Sequence, residues 1–90
     1  GREMTVIVEV ALERESRRHL SEFKHRMRNA PAVQQCYYAT GNADFILILV
    51  TSGIKEYEEF TQEYFFDESN VSHFTTSVVM DRVKVSLDVL

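Results

Sequence analysis

Ile46-Leu47-Ile48-Leu49-Val50 is an uninterrupted run of branched apolar residues in a chain of 90. It is too short for an ordinary helix and is flanked by Gly41-Asn42 and Ser52-Gly53, so residues 45–51 read as a strand. Side chains alternate across a strand, so this one is apolar on both faces. Such strands belong at the centre of a sheet that is covered on both sides. The run therefore demands two covers, and a chain of this length is one domain.

The rest of the chain predicts the first cover. Residues 5–12 alternate Val6, Val8, Val10 and Leu12 with Thr5, Ile7, Glu9 and Ala11, a strand rich in β-branched residues. From Ser16 the period becomes helical, with Leu20, Phe23 and Met27 on one side. Ser16 is the expected N-cap, and Asn29-Ala30-Pro31 ends the helix because a residue before proline avoids the helical region. Residues 33–40 read as a second strand, joined to 45–51 through Gly41-Asn42 as an antiparallel hairpin. Ser52 or Gly53 then caps a second helix whose apolar face is Ile54, Tyr57, Phe60 and Tyr64, broken at residues 67–70. Residues 71–80 form a fourth strand, and residues 83–90 alternate again as its continuation or a short fifth strand. This order predicts an α+β, ferredoxin-like β-α-β-β-α-β fold: an antiparallel four-stranded sheet with two helices on one face.

The second cover is missing from the chain. Ile7 and Ala11, and much of Ser77-Val78-Val79-Met80, extend the second apolar face beyond the central strand. An exposed apolar patch of that extent marks an interface. A domain this small also buries only about 60–65% of its unfolded surface, so association would stabilise it. The expectation is a homodimer formed through the sheets, with Ile7 and either Ile46 and Ile48 or their alternates Leu47 and Leu49 between subunits.

Composition excludes several functions. No apolar run approaches the ~20 residues of a membrane span, and residues 1–4 lead straight into a strand, so no membrane partner, no signal peptide and a cytoplasmic location are expected. Net charge is -4, which argues against non-specific nucleic-acid binding. The charge is uneven: Arg14, Arg17, Arg18, Lys24, Arg26 and Arg28 fall in one stretch around the first helix, and Glu56, Glu58, Glu59, Glu63, Asp67 and Glu68 in another around the second. Those complementary helices are expected to face one another. His19, His25 and His73 lack metal spacing, and Cys36 is the sole cysteine, so neither metal, cofactor, disulfide nor catalytic residue is expected.

The candidate site is Thr40-Gly41-Asn42-Ala43-Asp44. Glycine permits positive φ and lets a ligand approach exposed backbone N–H groups. Asp44 suits an ammonium group, or instead caps the hairpin.

Taken together, these pieces resemble the effector-binding domain of the Lrp/AsnC (feast/famine) transcriptional regulators. The resemblance covers residues 6–90 and rests on several motifs: Ala30-Pro31-Ala32-Val33, Cys36-Tyr37 followed by Thr40-Gly41-Asn42-Ala43-Asp44-Phe45, and Tyr57-Glu58-Glu59-Phe60. The last strand adds Val71-Ser72-His73-Phe74-Thr75-Thr76-Ser77-Val78-Val79-Met80 and Val83-Lys84. It implies a sheet-to-sheet dimer that assembles further into tetramers or octamers, with an amino-acid effector between dimers. Effector contacts carry over to Gly41, Asn42, Ala43 and Asp44, with Thr75 and Ser77 as further hydroxyls. Full family members carry an N-terminal helix-turn-helix for DNA, and residues 1–90 hold none. The resemblance thus implies a single effector-binding and oligomerisation domain, excised or stand-alone, without direct DNA binding of its own. Two departures stand out: the end, Ser86-Leu87-Asp88-Val89-Leu90, lacks the usual proline, and Asn42-Ala43 replaces bulkier or acidic residues, which leaves the effector open. Two rival readings remain. An ACT-like regulatory module favours a glycine soon after the first strand, and none occurs between Met4 and Thr40. A small dimeric ferredoxin-like enzyme of the acylphosphatase kind needs a glycine-rich anion loop, which Arg14, Arg17 and Arg18 lack.

Overall fold

Val6, Val8 and Val10 on one strand stand directly opposite Leu49, Leu47 and Phe45 on its neighbour, and all six are at most 1% exposed. The rest of the fold is arranged to cover that slab. The computed structural model describes residues 3–67 and 70–87. Its elements are β1 (Met4–Leu12), α1 (Arg17–Arg28), β2 (Val33–Tyr38), β3 (Phe45–Thr51), α2 (Ile54–Thr61) and β4 (Val71–Val78). The strands are ordered β2-β3-β1-β4 with every neighbouring pair antiparallel, so two β-α-β units interleave as the ferredoxin-like pattern requires.

Each helix begins and ends where local chemistry dictates. The Ser16 hydroxyl accepts the His19 N–H at 3.3 Å, filling one of the unpaired amide donors at the start of α1. At the other end the Asn29 side chain donates to the His25 carbonyl at 2.8 Å. His25, Arg26 and Arg28 in the last turn complement the helix dipole. Phe23 and Met27 are the buried residues of α1, as the helical spacing predicts.

The second helix departs from its predicted face. Gly53 occupies its N-cap position without a side-chain cap, and the Ser52 hydroxyl donates instead to Glu56 at 2.9 Å. Ile54, expected inside, is 54% exposed, because the apolar slab is already met by Tyr57 and Phe60 one and two turns later. Beyond Thr61 the chain widens into one π-helical turn, Gln62–Phe66, closed by the Asp67 N–H donating to the Gln62 carbonyl at 2.9 Å. The extra residue in that turn retards the helical phase. Phe65 is thereby buried, packed edge-on against Phe60 (ring centroids 5.4 Å) and tilted against Phe74 (4.6 Å). Tyr64 stays partly buried at the margin.

Arg26 links α1 to the π-helical turn: its guanidinium donates to the backbone carbonyls of Tyr64 and Glu63, both at 3.2 Å, and lies over the Tyr64 ring at 5.3 Å.

Two strand boundaries are corrected. β2 stops at Tyr38, and β4 stops at Val78 instead of residue 80. Residues 79–87 form no strand within the protomer, although a continuation or fifth strand was expected from residue 83; residues 88–90 lie outside the described residues. Sheet formation needs a neighbouring edge, and past Val79, whose N–H donates to the Thr5 carbonyl at 2.9 Å, β1 has almost run out.

Candidate effector loop and assembly face

The turn between β2 and β3 is tied down at its exit. The Ala39 N–H donates to the Asp44 carbonyl at 3.0 Å and the Asp44 N–H to the Val10 carbonyl at 2.9 Å. The Asp44 side chain reaches the same strand, where its Oδ2 accepts the Leu12 N–H at 2.7 Å. Asp44 thus pins the hairpin to the end of β1, in the structural manner that was the alternative to ligand contact. Gly41 at the turn has φ +122°, a conformation that a side chain strongly disfavours. A Cβ built there meets nothing within 4 Å, so the turn is open to its surroundings. Gly41 and Asn42 are exposed, Ala43 and Asp44 half-buried.

Glu15, which sequence reasoning did not single out, joins this loop. A hydrogen bond between its carboxyl and that of Asp44, reinforced by the repulsion of the two charges, raises the Glu15 pKa above its ordinary value. Only the fold brings the two together, across 28 intervening residues.

Thr75 and Ser77 lie elsewhere. They pair with Glu9 and Ile7 across β4 and β1, and β1 separates them from the hairpin. Two strand spacings, about 10 Å, therefore stand between Thr75 and the β3 side of the loop. The Thr75 hydroxyl donates to Glu9 at 3.4 Å. Within one protomer the hydroxyls and the loop do not form one site.

Other chemistry-bearing groups stay apart. Cys36, within β2, is partly buried, and burial raises its thiol pKa, which favours the protonated and poorly nucleophilic form. Among the described residues no three His, Cys, Asp or Glu side chains gather to hold a metal ion. No described helix is long and apolar enough to cross a membrane.

Residues 5–89 match the family model of the Lrp/AsnC ligand binding domain. The chain belongs to that family. An uncharacterized HTH-type transcriptional regulator of Sinorhizobium fredii is 47% identical over 89 residues, covering 99% of this chain and 53% of that protein. The transcriptional regulator AzlB of Bacillus subtilis is 28% identical over 99% of this chain and 57% of its own length. The chain thus spans about half the length of these relatives. Among solved structures, an AsnC family transcriptional regulator from Agrobacterium tumefaciens superposes with a TM-score of 0.86 at 20% identity, covering 98% of this chain and 57% of that one. A transcriptional regulator of Neisseria meningitidis in complex with L-Met gives 0.87 at 18% identity, with 97% and 56% covered. At these identities both show the fold, ferredoxin-like as here.

This Lrp/AsnC domain keeps one sheet face uncovered. The helices cover the face carrying Val6, Leu47 and Leu49; the opposite face carries Ile7, Glu9, Ile46, Ile48 and Val50. Ile7, Ile46 and Ile48 are half-exposed, whereas Leu47 and Leu49 are 0% exposed. That corrects the expectation for Leu47 and Leu49: they are core residues of the protomer and unavailable to a partner, because alternation turns them to the helices. Tyr37 and Gln35, hydrogen-bonded to each other, complete the open face on β2, a place that the sequence did not assign to them. Their pairing with Ile46 and Ile48 gives them away only once the strand register is known.

Proposed function

We propose that residues 1–90 act as the effector-binding and oligomerisation domain of a transcriptional regulator, cytoplasmic, without catalysis, cofactor or metal, and without direct DNA binding of its own. The observation that carries this reading is the match of residues 5–89 to a ligand-binding domain, on a chain whose relatives are described as transcriptional regulators. The effector is a free amino acid or a close analogue. Support comes from the Neisseria meningitidis regulator of the same fold in complex with L-Met.

The loop chemistry suits such a ligand. Backbone N–H groups around Gly41, Asn42 and Ala43 suit the carboxylate. The ammonium fits between Glu15 and Asp44, whose Oδ2 also accepts the Leu12 N–H, taking the place of the proton that the two carboxyls share. A cation there offsets the repulsion that raises the Glu15 pKa. Thr75 and Ser77 contribute only if they arrive from a neighbouring subunit. Assembly is the second half of the proposal: Ile7, Ile46 and Ile48 are covered by the same face of a second copy, with tetramers or octamers built on that dimer.

A thermal-shift screen of the twenty amino acids tests the ligand. One that binds only the folded domain, at a hundred times its Kd, stabilises it by about 2.7 kcal/mol. No shift with any amino acid at millimolar concentration sinks the sensing half. Light scattering tests assembly, with at least twice 10.5 kDa expected and a monodisperse monomer overturning it.

A further inference from the structure

Arg17, Lys24 and Arg28 follow one another at intervals of seven and four residues on α1, which sets them within about 40° around the helix and about 16 Å along it. All three line one groove of about 510 Å³. Among the described residues no carboxylate lines that groove, and none comes within ion-pair reach of these cations, whereas Arg18 outside it pairs with Glu22 at 3.8 Å. So much unpaired positive charge stands out on a chain of net charge -4. Helix stability does not explain it. Arg28 suits the last turn, but Arg17 stands in the first, where a cation works against the helix dipole and no acid compensates. The groove adjoins a hollow of about 190 Å³, which shares Lys24 and Arg28 with it and is otherwise lined by Cys36, Tyr38 and Phe45. This hollow lies where β2 ends and β3 begins, at the foot of the hairpin turn. The Tyr38 ring in its wall is 57% exposed. Lys24 Nζ stands over that ring at 5.0 Å. Burial raises the Cys36 pKa against the opposing charges of Arg28 and Lys24, so both cations reach the hollow.

We infer that groove and hollow together are a second ligand site, for a nucleoside diphosphate or triphosphate, with the phosphates among Arg17, Lys24 and Arg28 and the base against Tyr38. Three cations without a counter-charge call for a ligand with several negative charges, which a zwitterionic amino acid does not carry. An arginine fork pairs with phosphate oxygens through two parallel hydrogen bonds, and Lys24 adds a point charge between Arg17 and Arg28. The aromatic and apolar remainder suits a flat ring. A base stacks on an aromatic face whatever its identity. No carboxylate or amide side chain lines the hollow to tell one base from another, so the site is selective for phosphates and indifferent to the base. Together the two spaces have the size of an ordinary small-molecule site. This site is separate from the Gly41–Asp44 loop and does not depend on what binds there.

Calorimetry at physiological ionic strength tests the site with ATP, inorganic triphosphate and adenosine. One ATP per chain is expected, with inorganic triphosphate about 10-fold weaker because the stacked base is lost, and with no binding of adenosine. Arg17→Gln and Lys24→Gln should each lower ATP affinity by about 10-fold or more, the effect of losing one hydrogen bond to a charged group. Lys55→Gln removes the same charge from α2 and should change it far less, since exposed charges beyond a Debye length are screened. Tyr38→Ala should remove the advantage of ATP over triphosphate and leave triphosphate binding intact. In wild type, amide shifts in ¹⁵N spectra on adding ATP should cluster in α1 and at residues 36–38, which keeps the site testable if Tyr38→Ala fails to fold. Absence of binding by both ATP and triphosphate at millimolar concentration overturns the site. So does binding that Lys55→Gln weakens as much as Arg17→Gln and Lys24→Gln, because the attraction is then to overall charge. Equal affinity for ATP and triphosphate, with no amide shifts at residues 36–38, overturns the nucleoside assignment. A short DNA duplex that binds through these cations while ATP does not gives the groove to nucleic acid instead.

Discussion

The Asp44 carboxylate accepts the backbone N–H of Leu12 at 2.7 Å, joining the turn of the β2–β3 hairpin to the last residue of β1. Leu12 is 6% exposed, so that amide has little access to water in compensation. Asp44→Ala should therefore cost about 1–3 kcal/mol, the penalty of stranding a buried donor. In a domain of this size that lowers Tm by roughly 4–8 °C per kcal/mol. Asp44→Asn keeps an acceptor oxygen and should recover most of the loss in urea unfolding. The asparagine variant is also the clean probe of binding. Calorimetry with the responding amino acid should show it weakened by about 1.5–3 kcal/mol, the scale of a hydrogen bond to a charged group.

Gly41→Ala is expected to destabilise by about 1–3 kcal/mol through the backbone alone. Its φ of +122° is closed to side chains, while no neighbouring atom within 4 Å would clash. Because there is no steric contact to relieve, Gly41→Ala and Gly41→Val should cost similar amounts in denaturant titrations. A much larger loss for valine would show that the loop is enclosed.

Ile48 and Leu47 are adjacent in β3 yet face opposite sides, and they should respond oppositely. Leu47→Ala should cost about 2–5 kcal/mol of stability, the range for a fully buried leucine. Ile48→Asp should leave the protomer folded by circular dichroism and shift its mass in light scattering towards 10.5 kDa. An unfolded Ile48→Asp at concentrations where wild type is monomeric would place Ile48 in the core instead.

Glu15 carries a pH signature. Its pKa in the folded state is raised, chiefly by the hydrogen bond with Asp44, so the folded state holds that proton more tightly than the unfolded chain. The stabilisation this provides is fully present below the unfolded glutamate pKa and is lost as pH rises through the raised folded value. Thermal melts should show Glu15→Gln closing that part of the pH dependence, with the variant at least as stable as wild type at neutral pH. Amino-acid binding should also strengthen with pH over the same interval, since a deprotonated Glu15 is the better ammonium partner. Binding that weakens there would remove Glu15 from the ligand site.

Much of this was legible along the chain. The alternation of Val6, Val8 and Val10, the helical spacing of Phe23 and Met27, and the cap at Ser16 are local consequences of backbone periodicity, and they recur in the structure at the same residues. Gly41 was readable as a turn because positive φ is a property of the residue itself. The run at residues 46–50 declared that both faces of β3 are apolar, but it could not say which face meets the helices. Only register and packing assign Leu47 and Leu49 to the core and Ile46 and Ile48 to the open side, since a one-residue slip exchanges the two sets. Tertiary structure alone made Asp44 the partner of the Leu12 amide and set Glu15 beside it, because hydrogen bonds across some thirty residues leave no mark on local pattern. The same holds for Phe65, brought inward by one π-helical turn, and for residues 79–87: their alternation announced a strand, but β1, the neighbour of β4, ends beside Val79.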